Sequence, residues 1–120
     1  MTSGTKVFNK TKKNILVTEL ELAQTLKTRV IGLMGRKSLP EGSGLLIKRS
    51  GNSIHTFFMK FPIDLVFVSS QGQVKHVVKN MKPWKIVVAP LLLPTDCLEL
   101  PAGTIEKTGT SIGDILSVEA

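Results

Sequence analysis

Residues 55–68 read HTFFMKFPIDLVFV. The second half of this run, Ile63 to Val68, is β-branched and aromatic with no polar alternation apart from Asp64. That composition suits a central strand covered on both faces. Pro62 has no N–H to give a sheet ladder, so it marks a strand start or a bulge. Directly after the run, Ser70-Gln71-Gly72-Gln73 has the chemistry of a hairpin turn into a second strand at Val74–Val78.

Working outward, Val7–Phe8 and Ile15–Leu22 read as strands joined by the polar turn Lys10 to Asn14. In the second of these, Leu16, Leu20 and Leu22 are expected on one face, with Val17, Glu19 and Glu21 on the other. Thr25 to Met34 predicts the one real helix. Thr25 can cap its start, Leu22, Leu26, Val30 and Leu33 recur at helical spacing, and Gly32 or Gly35 can end it. Further strands are expected at Leu45–Ile47, Ile86–Val88, Cys97–Leu100 and Ile115–Val118, with a short helical turn between Gly103 and Gly109. The sum is a mainly β fold: a small sandwich or partly closed barrel with one α-helix near residues 25–34.

The 120 residues fit a single domain, 1–120, with residues 1–5 as a flexible tail. An apolar share of 42% against 21% charged residues excludes a disordered chain. The lone Cys97 cannot form an internal disulfide, so nothing points to an oxidising compartment. No run approaches the roughly 18 apolar residues of a membrane span, and the first residues lack a signal-peptide core. The chain as it stands therefore reads as cytoplasmic, or as exported had a leader been removed. The formal charge of +7 is lopsided. Residues 1–60 carry eleven Lys/Arg against three Glu, and residues 61–120 carry five Lys against six Asp/Glu. Lys6, Lys10, Lys12, Lys13, Arg29, Arg36 and Lys37 supply most of the excess, either as a solubilising surface or as an attraction for phosphates.

Three blocks, RVIGLMGRKSLPEGSGLLI (29–47), HTFFMKFPIDLVFVSSQGQV (55–74) and CLELPAGTIEKTGTSIGDIL (97–116), resemble the bacterial and archaeal family known as domain of unknown function 192. The blocks stand in the family's order, and the resemblance spans roughly residues 15 to 118. It implies a small β-rich domain with one helix, and it implies no established activity, cofactor or partner. Some members of the family look exported, with a leader that this chain does not show. An aromatic residue often precedes the family's Met, and Phe58 fills that place before Met59.

Among residues that could carry chemistry, Asp64 stands out. A carboxylate inside an apolar strand must reach solvent or find a donor, so it is either a pocket carboxylate or a structural ion pair or turn cap. His55 and Met59 both suit copper, but on a strand they would lie about 13 Å apart, too far for one ion. No metal or other cofactor is expected. Cys97 beside Asp96 has a poor setting for a nucleophile and reads as a small core residue. The PEGSG loop leads into a strand, whereas phosphate-binding loops lead into a helix. Trp84, between Lys82, Pro83 and Lys85, could stack on a planar ligand if exposed, and is expected to anchor the core. Val87 to Leu93, VVAPLLL, would be a partner surface if it formed an exposed loop.

The leading functional reading is a non-enzymatic binding or accessory module for a small molecule or a protein, with Arg36, His55, Lys60 and Asp64 near the rim of its cleft. A second reading is a small enzyme using Asp64 and His55 as acid and base. A third is weak nucleic-acid binding through the basic N-terminal half.

Overall fold

The computed structural model describes residues 5–23 and 33–119. The helix expected over Thr25–Met34 lies outside the described residues, save for its last two positions. In chain order the elements are β1 (Lys6–Asn9), β2 (Asn14–Val17), β3 (Glu19–Ala23), β4 (Ser43–Gly51), β5 (Ser53–His55), β6 (Ile63–Val68), β7 (Val74–Met81), β8 (Ile86–Val88), β9 (Thr95–Pro101), α1 (Thr104–Thr108) and β10 (Leu116–Glu119). The fold is mainly β, as the sequence predicts.

A five-stranded sheet, β3-β4-β9-β6-β7, forms the middle layer. β6 sits inside it, paired with β9 and β7, and all six of its residues are buried. That is the position its unrelieved apolar run called for. The turn into β7 closes with Ser69 N–H on Gln73 O at 2.9 Å and Gly72 N–H on Ser69 O at 2.9 Å. Gly72 has a φ of +88°, and a Cβ there would lie 2.4 Å from Leu116 O, so only glycine fits.

Two smaller sheets cover this layer. On one face lies β10-β1-β2, and the core between them holds Val7, Leu16, Val17, Leu116, Leu46, Val66, Leu98, Leu100 and Ile105 of α1. On the other face Leu45, Ile47, Ile63, Leu65, Phe67 and Cys97 pack against Leu33, Met59, Met81 and Ile54, the inward residue of the two-stranded β5-β8 ribbon. Full burial of each such aliphatic side chain contributes about 1.5–3 kcal/mol. The sheets stack as layers and do not close into a barrel.

One expectation needs correction. Ile15–Leu22 is two strands in different sheets, broken at Thr18. Gly42 O accepts from Thr18 N–H at 2.7 Å, Glu19 N–H at 3.1 Å and Thr18 Oγ1 at 3.1 Å, which turns the chain from β2 into β3. As a result Leu16 and Val17 are both buried, while Leu22 is exposed. β3 and β4 then pair in parallel, which the nineteen-residue connection 24–42 is long enough to allow.

Candidate functional site

β5 stops at His55, and the residue after it organises the turns beyond the strand. Thr56 is fully buried. Its N–H donates to Lys85 O at 2.8 Å, and its Oγ1 donates to Lys82 O at 2.6 Å while accepting from Lys85 N–H at 2.9 Å. Its carbonyl accepts from Trp84 N–H at 2.9 Å and Met59 N–H at 3.2 Å. One threonine thus locks the turn at Phe57–Phe58 against the turn at Trp84.

Both turns hold an aromatic residue in the left-handed region: Phe58 at φ +64° and Trp84 at φ +63°. Each costs on the order of 1–3 kcal/mol, and such strain persists only where the surroundings enforce it. Thr56 supplies that enforcement, together with Gly35 N–H, which donates to Phe58 O at 3.1 Å. The strained residues are not buried. Phe58 and Trp84 are each 58% exposed, with ring centroids 4.7 Å apart. Phe57 lies 6.0 Å from Trp84 and stacks on His55 at 4.9 Å.

The outer face of the ribbon extends this shelf. Ile54 and Val87 pair and point into the core, so the neighbouring pairs His55–Ile86 and Ser53–Val88 point outward. Ile86 and Val88 are exposed, as are Leu92 and Leu93 in the loop beyond, where Asn52 Nδ2 donates to Leu91 O at 3.1 Å. Trp84 is therefore not the core anchor expected from sequence, and in Val87–Leu93 the side chains of Val88, Leu92 and Leu93 are exposed while Val87, Ala89 and Leu91 pack against the core.

A second polar feature lies under the same side of the sheet. Glu21 pairs with Leu45, Leu45 with Glu99, and Glu99 with Leu65, so these four side chains form one row on one face. Arg36 donates from Nη1 and Nη2 to the Glu21 oxygens at 3.1 and 2.7 Å. That bond holds the Glu21 carboxyl below its ordinary range and Arg36 above its own. Glu99 is 4% exposed, and its Oε1 has no hydrogen-bond partner among the described residues. Burial pushes its pKa up to about 8, and the nearby Arg36 charge offsets only part of this. Cys97, on the same face, has its thiol pushed well above the usual value by burial and then by Glu99 and Asp96, so it is a poor nucleophile.

The structure places the four sequence-predicted residues unequally. His55 belongs to the aromatic cluster, its Nδ1 accepting from Phe57 N–H at 3.2 Å. Lys60 is exposed just past the buried Met59. Arg36 follows the glycine that bonds Phe58. Asp64 opens onto the opposite face, among the Val66 and Ile105 side of the core. Its Oδ1 accepts from Asn80 N–H at 2.8 Å, and its Oδ2 from Gly103 and Ile105 N–H at 3.1 and 2.8 Å. It clamps the start of α1 to β7, and the central sheet separates it from His55. Because β5 ends at His55, a continuous strand does not set the spacing of His55 and Met59. Instead, His55 is exposed and Met59 lies in the core. No group of three or more His, Cys, Asp or Glu among the described residues is placed to hold a metal ion.

Sequence reasoning missed Thr56, Phe57 and Glu99. For Glu99 a signal existed: alternation in CLEL puts it on the side of Cys97, away from Leu98 and Leu100.

The DUF192 family model, described as Uncharacterized ACR, matches residues 7–118, and the chain belongs to that family. A UPF0127 protein of Thermococcus sibiricus is 30% identical over 116 residues, covering 94% of this chain and 74% of its own length. One from Pyrococcus furiosus is 32% identical over 117 residues, covering 92% and 95%. A Sinorhizobium meliloti crystal structure, provisionally described as a transcription regulator, is 25% identical with a TM-score of 0.82, covering 95% of this chain and 91% of that one. A Novosphingobium aromaticivorans protein of unknown function, at 22% identity and a TM-score of 0.81, shares the fold.

Proposed function

We propose that this member of the DUF192 family is a non-enzymatic binding module whose partner docks on the shelf of Phe57, Phe58 and Trp84, with Arg36, His55 and Lys60 as the polar rim. The observation that carries this reading is the pair of exposed aromatic residues held at positive φ around a buried threonine. Folding alone gains little from exposing them in a strained backbone, whereas a docked partner would bury them. Lysines 60, 82 and 85 are exposed around the shelf, which favours a partner combining apolar surface with negative charge. Asp64 stays with α1 and is outside this site.

Anilinonaphthalene sulfonate, apolar and anionic, is a direct probe. It should bind the folded protein with an emission rise that falls at least about fivefold in Phe58→Ala/Trp84→Ala, at unchanged far-UV circular dichroism. Equal emission from both proteins would overturn the reading.

A second reading, weak nucleic-acid binding through the basic N-terminal half, has the description of the Sinorhizobium relative in its favour. Affinity for a labelled oligonucleotide should then fall steeply with salt, and a flat response would rule it out.

A further inference from the structure

We infer that the occupant of this face is the surface of an anionic lipid bilayer, an inference that rests on the shelf being a binding face. Three observations converge on it. The exposed apolar residues follow one another along the chain: the aromatic trio around the Trp84 turn, Ile86 and Val88 on the outer face of β8, and Leu92 and Leu93 in the loop beyond it. Leu92 and Leu93 are 102% and 76% exposed, adjacent in sequence, and bracketed by Pro90 and Pro94. Two neighbouring leucines standing this far into solvent would be covered from several sides by a fluid apolar medium, which acyl chains provide. The loop's backbone is also partly satisfied from within, because Leu91 O accepts from Asn52 Nδ2 and Leu91 N–H donates to Ala89 O at 2.8 Å. That lowers the cost of moving it out of water.

Charge complementarity selects the lipid. Of the lysines in residues 51–95, Lys60, Lys82 and Lys85 are exposed around the shelf, while Lys79 pairs with Glu106 at 3.2 Å beside another cleft, and the segment's single acid is Asp64. Asp64 is buried and its oxygens are taken by three backbone N–H groups. No carboxylate of this segment therefore opposes an anionic surface, while Lys82 and Lys85 flank the tryptophan. Indole and phenyl rings at the headgroup level, with lysine stems lying along them, are the usual arrangement of an interfacial anchor. Three clefts lined by described residues, around Val68–Gly72, Thr18–Gly42 and Asn80–Glu106, lie away from this face.

The test is co-sedimentation of the full chain with vesicles of phosphatidylcholine alone, or with about a third phosphatidylglycerol. Binding is expected to the anionic vesicles only, to weaken with salt, and to shift Trp84 emission to the blue. Leu92→Ser/Leu93→Ser should lower partitioning at least about tenfold, and Lys82→Gln and Lys85→Gln about fivefold each. All four side chains are exposed, so folding is not at stake. Absence of vesicle binding at low salt, or equal binding to both compositions, overturns the inference. If the dye still binds through Phe58 and Trp84 in that case, the binding-face reading survives and only the lipid is wrong. A concentration-dependent dimer abolished by Leu92→Ser/Leu93→Ser assigns the face to a second copy and also overturns it, as does tight binding of an acidic peptide without vesicle binding.

Discussion

Arg36 grips Glu21 with both terminal nitrogens, at 3.1 and 2.7 Å, and leaves Glu99, two strands away on the same row, with an oxygen that none of the described residues hydrogen-bonds. The guanidinium fork matches one carboxylate bidentately, and the half-exposed Glu21 takes it. Glu99 is left buried with only the Coulombic influence of Arg36. Such a carboxyl keeps its proton at neutral pH.

The consequence is a pH dependence of unusual sign for a carboxylate. The unfolded chain releases the Glu99 proton near its ordinary value of 4.5, and the folded chain near about 8. Between these limits the folded state holds the extra proton, so stability falls as pH rises, at up to about 1.4 kcal/mol per unit, and levels off above the upper limit. Glu99→Gln removes the proton exchange. Urea unfolding at about pH 5 and about pH 8.5 should show the variant gaining on the wild type by on the order of 2–4 kcal/mol from the lower to the higher pH. A constant difference would mean that Glu99 is ionised in the fold.

Asp64 makes the opposite kind of prediction, since its oxygens are fully engaged. Asp64→Asn keeps one acceptor and turns an amide N–H₂ toward backbone donors, leaving one or two buried N–H groups unpaired. The expected cost is about 2–4 kcal/mol in the unfolding free energy. Because the central sheet lies between Asp64 and the shelf, Trp84 emission and dye binding should not change. Loss of dye binding at full stability would place Asp64 in the binding site after all.

The features legible in the sequence are those that depend on neighbours along the chain. Ile63–Val68 declares itself a central strand because both of its faces are apolar, and the Gly72 turn because its residues suit no other geometry. The break at Thr18 is hidden, since alternation of leucines says nothing about which sheet each half joins. Its cause is the carbonyl of Gly42, 24 residues away. The exposure of Trp84 is hidden for the same reason: it depends on hydrogen bonds to Thr56, which no local pattern encodes. Asp64 does need donors, as its apolar strand implies, and these are the backbone N–H groups of Asn80, Gly103 and Ile105, which lie 16 to 41 residues away along the chain. Glu99 looks like one polar residue in an alternating strand until β9 is seen to be paired on both sides.

Thr56 is where fold and candidate function meet, and it offers the sharpest test. Valine has nearly the same shape, so Thr56→Val removes the hydroxyl without opening a cavity. Lys85 N–H loses its acceptor at 2.9 Å, and Lys82 O loses its donor at 2.6 Å. The loss should be about 2–4 kcal/mol of stability. The turn would also be freed to relieve the positive φ of Trp84, with a changed near-UV signal from the only tryptophan and weaker dye binding. Thr56→Ser retains the hydroxyl and should restore the near-UV signal and the dye affinity. If Thr56→Val loses stability yet keeps both the spectrum and the affinity, the strained shelf is held by other contacts and Thr56 is only a packing residue.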